Sequence, residues 1–371
     1  MKNIHVAIVG VGNCAASLIQ LIHASKQFDY GFVGVMHQTL GGYGVGQVKV
    51  VAAFDVNREK VGRDLAEAIG AAPNCTTRYV AVPVLGVTVA PGAFQDGLGS
   101  NLSQEIEVDP ACLQTSVDSI VELLRGRHVD VVVNYLPVGA RQDTDLYAEA
   151  SLLAGCAFVN CNPERVATHS AWAERFRLAG VPVLGDDIKS QIGATMLHRR
   201  ICQALLDRGA RVRSTYQLNV GGNADFYNMA ERGRAASKKF TKSHAIADLL
   251  GPQVEISVGP SDYLPLLKDR KVAYIRLEGN ACLDMAFSIE VRLDVEDSPN
   301  SAGVAIDAIR CAQLARDRHL SGAIEAPAPF LFKLPPRAVP EPDEKPLLEQ
   351  WLSAAGPSPE SVSDENGGQS R

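Results

Sequence analysis

The sequence predicts an α/β fold: a parallel sheet wound with helices, opening on a dinucleotide-binding unit of Rossmann type. Three observations carry that reading. A compact apolar run at residues 5–9 leads directly into GVGNCA at 10–15, and a helical repeat of Leu18, Ile19, Leu21 and Ile22 follows. Further short apolar runs recur at 48–56, 129–134, 158–160 and 181–184, with helical patterns between them. The run at 129–134, VDVVVN, has the mostly apolar character of a strand buried on both faces.

Each element can be justified in turn. In GxGxxA, Gly10 permits the tight turn and Gly12 lets a pyrophosphate approach the backbone. Ala15 allows close helix–strand packing, and Asn13 and Cys14 open the helix whose free N–H groups favour an anion. A purely structural turn is the other reading of this loop. After a glycine-rich excursion over 28–47, the second strand ends in Asp55. There a carboxylate would accept from ribose hydroxyls and disfavour a 2′-phosphate, so NAD is expected rather than NADP; capping the next turn is its alternative. Residues 60–69 read as a helix. The run 83–99 has two prolines and ends in a loop, where Asp96 is a candidate cofactor contact. A helix is expected within 113–124, and the strand at 129–134 ends in the loop YLPVG, which places Pro137 where such sheets bind ligands. Helices follow at 145–154 and 169–178.

The strand at 181–184 runs into GDDIKSQIGAT and then a helix to about 208. Asp187 and Lys189 stand at the strand's end. Ser190, Gln191, Gly193, Ala194 and Thr195 can aim backbone N–H groups or hydroxyls at a phosphate. For any one of them, a helix cap or a turn is the plainer role. The stretch 216–242 begins as a strand, with Tyr216, Leu218 and Val220 alternating against Gln217 and Asn219, and then breaks into GGNAD. Asn223 and Asp225 offer an amide and a carboxylate there, and Lys238, Lys239 and Lys242 follow. A solvated lysine run and an anionic-substrate site are both open readings. Residues 259–262 read as a turn, 271–277 and 287–295 as antiparallel strands, 302–318 as a helix and 347–352 as a short one. The last stretch, 356–371, has disordered composition.

Composition narrows the function. The chain has 371 residues, 46% of them hydrophobic, and a net charge of −6. A sizeable core is possible, and the acidic balance argues against nucleic-acid or membrane-surface binding. None of the eight cysteines forms a CxxC pair, so reduced thiols and a cytoplasmic location are expected, with no metal site from cysteine spacing.

The glycine loop, GDDIKSQ.GAT, QLNVGGN.DF.NM, SKK..TK, DRK.AY.RLEG and DSPNSAG stand in one order over residues 5–335. Together they resemble the inositol-3-phosphate synthase family, particularly its actinobacterial branch. The resemblance implies a Rossmann domain (1–200), an inserted α+β catalytic and oligomerisation domain (201–301), a C-terminal segment completing the Rossmann domain (302–355) and a tail (356–371). It implies NAD-dependent, redox-neutral cyclisation of a hexose phosphate, glucose 6-phosphate to 1L-myo-inositol 1-phosphate, in a homotetramer, with room for a mono- or divalent cation. Asp187, Lys189, Asn223, Asp225, Lys238, Lys242, Lys271, Asp297 and Lys333 fall on the family's active-site positions. The lysines would stabilise oxyanions at O5 and O1, and the carboxylates would orient them or hold hydroxyls or a cation. Residues 28–47, NACLDM at 280–285 and the flanks of Tyr135 depart from the family pattern. Those departures keep open a second substrate, fructose 6-phosphate, closing to a five-membered cyclitol phosphate.

Overall fold

The structure is a computed structural model and describes residues 2–27, 34–231, 246–247 and 249–354. Lys238 and Lys242, together with Lys239 and the 356–371 stretch, lie outside the described residues. In chain order the principal elements are β1 (Ile4–Val9), α1 (Asn13–Ala24), β2 (Val48–Asp55), β3 (Val89–Pro91), α2 (Val117–Gly126) and β4 (Val131–Asn134). Next come α3 (Arg141–Ala154), β5 (Ala157–Asn160), α4 (Ser170–Leu178), β6 (Pro182–Leu184), α5 (Ala194–Asp207), β7 (Arg211–Gly221) and α6 (Ala224–Met229). The chain closes with β8 (Glu255–Tyr263), β9 (Arg270–Asn280), β10 (Ala286–Glu296), α7 (Asp297–Asp317), β11 (Gly322–Ala323) and α8 (Glu341–Ser353).

Seven strands form one sheet in the order β11-β6-β5-β4-β1-β2-β3, with every pairing parallel. The order reverses between β1 and β4, the switch point at which such sheets open a crevice. The pleat sends alternate residues to opposite faces. Ile4, Val6, Ile8, Val131 and Val133 pack with Leu18 of α1 and Ile306 and Ile309 of α7. Val9, Val132, Phe158 and Val183 pack with Ile120, Tyr147 and Phe176 from α2, α3 and α4. Helices thus cover both faces, which explains why the strands read as nearly unbroken apolar runs.

The second sheet has the order β8-β7-β9-β10, parallel only between β8 and β7. One face packs on a cluster of Cys202 from α5 with Val212, Ile275 and Leu277. On the other face Tyr216, Leu218 and Tyr274 are exposed among the described residues. Helix α7 leaves β10 without an intervening loop and is buried along nearly its whole length, the pattern of a core helix.

Four expectations are corrected. A helix over 60–69 shrinks to Leu65–Ala68, because Gly62 takes a left-handed φ of +81° and Asp64 caps the short helix, accepting from Ala66 N. The turn at 259–262 is strand: β8 runs through it with a register shift, at the edge of the sheet. The helix expected from 302 starts at Asp297, since Pro299 in the first turn loses no helical hydrogen bond. The helix expected at 347–352 starts at Glu341. No helix among the described residues is long and apolar enough to cross a membrane.

Candidate active site

One continuous cavity runs from the β1–α1 loop, past the switch point, to the inner end of the second sheet. Gly10, Gly12, Asn13, Cys14, Asp55 and Pro137 line one part. Asp187, Lys189, Ser190, Gly193, Ala194, Thr195, Asn223, Asp225, Lys271, Asp297 and Lys333 line the rest.

The glycine loop is shaped as a cradle. Gly10 has φ +86°, and a Cβ there would lie 2.9 Å from the Tyr135 carbonyl. A Cβ on Gly12 would meet nothing within 4 Å, so that backbone faces open space. Helix α1 starts with no side-chain cap and no acidic residue in its first turn, leaving its first amides for an anion. Asn13 holds this end in place: its Oδ1 accepts from Cys75 N at 2.7 Å and Thr76 N at 3.1 Å. Cys14 takes a long hydrogen bond from Ser301 Oγ, and burial pushes its thiol up to about 12, so it is a neutral wall residue. Ala15 is fully buried behind the loop.

Asp55 does two things at once. Its Oδ2 accepts from Val11 N and its Oδ1 from Asn57 N, both at 2.8 Å. It therefore fixes the glycine turn and the end of β2, while each carboxylate oxygen keeps further acceptor capacity towards the cavity. Lys60, which no sequence motif singles out, donates to Val11 O at 2.9 Å and to Asn74 Oδ1 at 3.0 Å, and its Nζ lies 3.8 Å from Asp55. Burial lowers its ammonium pKa, and Asp55 opposes that shift.

Among the described residues, the Lys271–Asp297 and Lys333–Asp187 pairs stand at the reactive end. Lys271 Nζ donates to Asp297 Oδ1 at 2.8 Å, joining the start of β9 to the first residue of α7. Lys333 Nζ donates to Asp187 Oδ1 at 2.7 Å. Backbone bonds between the two segments, Lys333 N to Asp187 O and Lys189 N to Leu331 O, hold that second pair in register. Helix α5 starts at Ala194 with no side-chain cap and no acid in its first turn, so residues 193–195 present amides to the cavity.

Asn223 caps α6, its Oδ1 accepting from Asp225 N and Phe226 N, while its Nδ2 donates to Asp269 Oδ1 at 3.1 Å. Asp269 also accepts from Ser298 Oγ at 2.7 Å. Burial raises its carboxyl to about 6, although those two hydrogen bonds pull the other way.

Two sequence-derived candidates sit outside the cavity, and a third lines it with its ammonium committed elsewhere. Asp96 accepts from Asp143 N and Gln142 Nε2 at the start of α3, outside the cavity, and serves that helix end. Gln191 spends its backbone N–H on Asn300 O and its side-chain amide on Gly34 O, which turns it away from the phosphate loop. Lys189 lines the cavity, but its ammonium donates to Pro329 O and to Glu344 Oε2 at 2.6 Å, and burial lowers its pKa. It ties the loop to α8. Among the described residues, no three His, Cys, Asp or Glu side chains are grouped to hold a metal ion.

Comparison with known proteins agrees with this geometry. The family described as myo-inositol-1-phosphate synthase matches residues 193–298. An inositol-3-phosphate synthase of Mycolicibacterium smegmatis is 46% identical over 94% of this chain and 98% of its own. Among solved structures, Ari2 aligns with a TM-score of 0.78 and 34% identity over 94% of this chain and 98% of its own. A myo-inositol-1-phosphate synthase-related protein of Thermotoga maritima gives a TM-score of 0.81 at 26% identity, covering 95% of this chain and 98% of its own.

Proposed function

The chain belongs to the inositol-3-phosphate synthase family, and from that premise we propose that it is an NAD-dependent isomerase closing glucose 6-phosphate to 1L-myo-inositol 1-phosphate without net redox change. The observation that carries this reading is the placing of two lysine–aspartate pairs in the same cavity as an uncapped phosphate loop and an open glycine cradle.

The cofactor fits the residues present. Gly10 and Gly12 with the α1 amides would hold the pyrophosphate, and Asp55 would accept from the adenosine ribose. Bound NAD supplies the acceptor, and later the donor, of a hydride at C5 of the sugar. The remaining steps fall to the chain. Ser190, Gly193, Ala194 and Thr195 bind the substrate phosphate through amides and hydroxyls. The ammonium of Lys333, held by Asp187, faces the developing charge at O5. Lys271, held by Asp297, does the same at O1 once the C6 proton passes to the substrate's own phosphate and the resulting enolate attacks the C1 aldehyde. Each ammonium is fixed by its carboxylate, so little reorganisation is needed as charge appears. Lys238 and Lys242 remain further candidates from the sequence.

Of the departures from the family pattern, Tyr135 and its flanks line the cavity, while the 280–285 segment does not. NACLDM forms the tip of the β9–β10 hairpin, where Leu283 is 98% exposed. Incubation of the purified protein with NAD and glucose 6-phosphate, followed by NMR of the product, tests the proposal. It predicts a six-membered inositol phosphate. A five-membered cyclitol formed from fructose 6-phosphate alone would overturn the substrate assignment, and equal turnover with NADP would overturn the role of Asp55.

A further inference from the structure

Asp269 opens the DRK run, but the sequence assigns it no role, and it is not among the cavity's lining residues. Its side chain is nonetheless 2% exposed, directly behind two residues that do line it. Oδ1 accepts from Asn223 Nδ2 at 3.1 Å and from Ser298 Oγ at 2.7 Å. Its backbone carbonyl accepts from Asp297 N at 2.8 Å. Asn223 caps α6, which begins beside Asp225; Ser298 stands in the first turn of α7, which begins with Asp297; and Lys271 is two residues along the chain. One buried carboxyl thus joins three separate segments, each carrying a group of the reactive end.

We infer that Asp269 is a positioning residue, which sets the N-termini of α6 and α7 relative to β9 by accepting from Asn223 and Ser298 at once. The inference rests on the cyclase reading of the cavity. Chemically, the role needs an acceptor oxygen in this place and does not need a negative charge. A carbonyl oxygen can accept both donors as a carboxylate does. An uncharged isostere removes the buried charge but sets an amide NH2 at the Oδ2 position, which is buried and accepts no hydrogen bond among the described residues.

The consequence for rate is direct. Without the shared acceptor, two buried donors lose their partner and the groups they orient drift, and displacements on the order of 1 Å lower rates by up to about a hundredfold. The experiment compares Asp269→Ala and Asp269→Asn in the full chain, measuring kcat and KM for glucose 6-phosphate, NAD affinity by fluorescence titration, and the thermal midpoint. The expected result is a kcat loss of about tenfold or more for Asp269→Ala, with NAD affinity within about twofold of wild type. Asp269→Asn should recover kcat to within about threefold of wild type. A cycle with Asn223→Ala should be non-additive, the double variant losing less than the product of the single losses.

An Asp269→Ala protein with wild-type kcat would overturn the inference. So would an Asp269→Asn protein as slow as Asp269→Ala, since charge rather than position would then be what matters. Should Asp269→Ala not fold, Asp269→Ser, too short to reach both donors, replaces it in the same comparison. A wild-type protein that forms no cyclic product would instead overturn the cyclase reading itself, which separates the two failures.

Discussion

Lys271 and Lys333 meet their carboxylates at 2.8 and 2.7 Å before any substrate enters. Both pairs are partly buried, with lysine side chains 16% and 18% exposed. Such pairs add little to stability but hold an ammonium in one place, which is what oxyanion stabilisation needs. Lys271→Ala and Lys333→Ala should each lower the cyclisation rate by roughly a hundredfold or more, the loss of one oxyanion donor, and leave NAD affinity unchanged. Steady-state kinetics with a parallel NAD titration checks this, and near-normal turnover in either variant would count against it. Lys271 is legible in the sequence because it stands in the DRK.AY.RLEG run, and Lys333 because the resemblance puts it on a family active-site position. Asp269 and Lys60 are not, although Asp269 is the first residue of that same DRK. What makes each matter is a set of partners distant in sequence: Asn223 and Ser298 for one, Val11 and Asn74 for the other.

At the scale of elements, β7 shows where a pattern is readable and its direction is not. Tyr216 and Leu218 alternate with Gln217 and Asn219, which reads as a strand and leaves open which face is buried. The strand is present, and Gln217 and Asn219 are buried and line the cavity, whereas Tyr216 and Leu218 are 38% and 43% exposed. Period-two alternation identifies two faces but not which one meets a polar pocket. Helix α7 poses the opposite problem, since burial all round leaves it no amphipathic stripe. It carries a fully buried Arg310, which donates to the carbonyls of His37, Gln38 and Tyr43 and pairs with Asp307, itself 2.6 Å from His37 Nδ1. That guanidinium anchors the 37–43 segment to the helix. Arg310→Met would leave Asp307 without its main counter-charge, at a cost of about 3–5 kcal/mol. The expected readout is a thermal midpoint several degrees lower, and an unchanged midpoint would show that the network contributes nothing net.

On the scale of the whole molecule, the two sheets divide the labour. The parallel sheet is legible from its apolar runs, and its strand order places the glycine loop, the 135–139 loop and the 185–195 loop at the carboxyl ends of strands around one crevice. The second sheet supplies Lys271, Asn223 and Asp225 from its inner end and leaves Tyr216, Leu218 and Tyr274 on a face where they are exposed among the described residues. An apolar face of that kind calls for a partner surface, and we propose a homotetramer assembled through it. Light scattering at micromolar concentration should give a mass near four chains, and a monomer would contradict the assignment. The same division of labour bears on the proposed reaction, in which a hydride removed from the sugar is returned to it before the cofactor leaves. The most direct test uses glucose 6-phosphate deuterated at C5 with purified protein and NAD. The label should reappear on the corresponding carbon of the inositol phosphate, with no NADH accumulating in solution. Deuterium found in free cofactor, or NADH formed in step with turnover, would contradict the account.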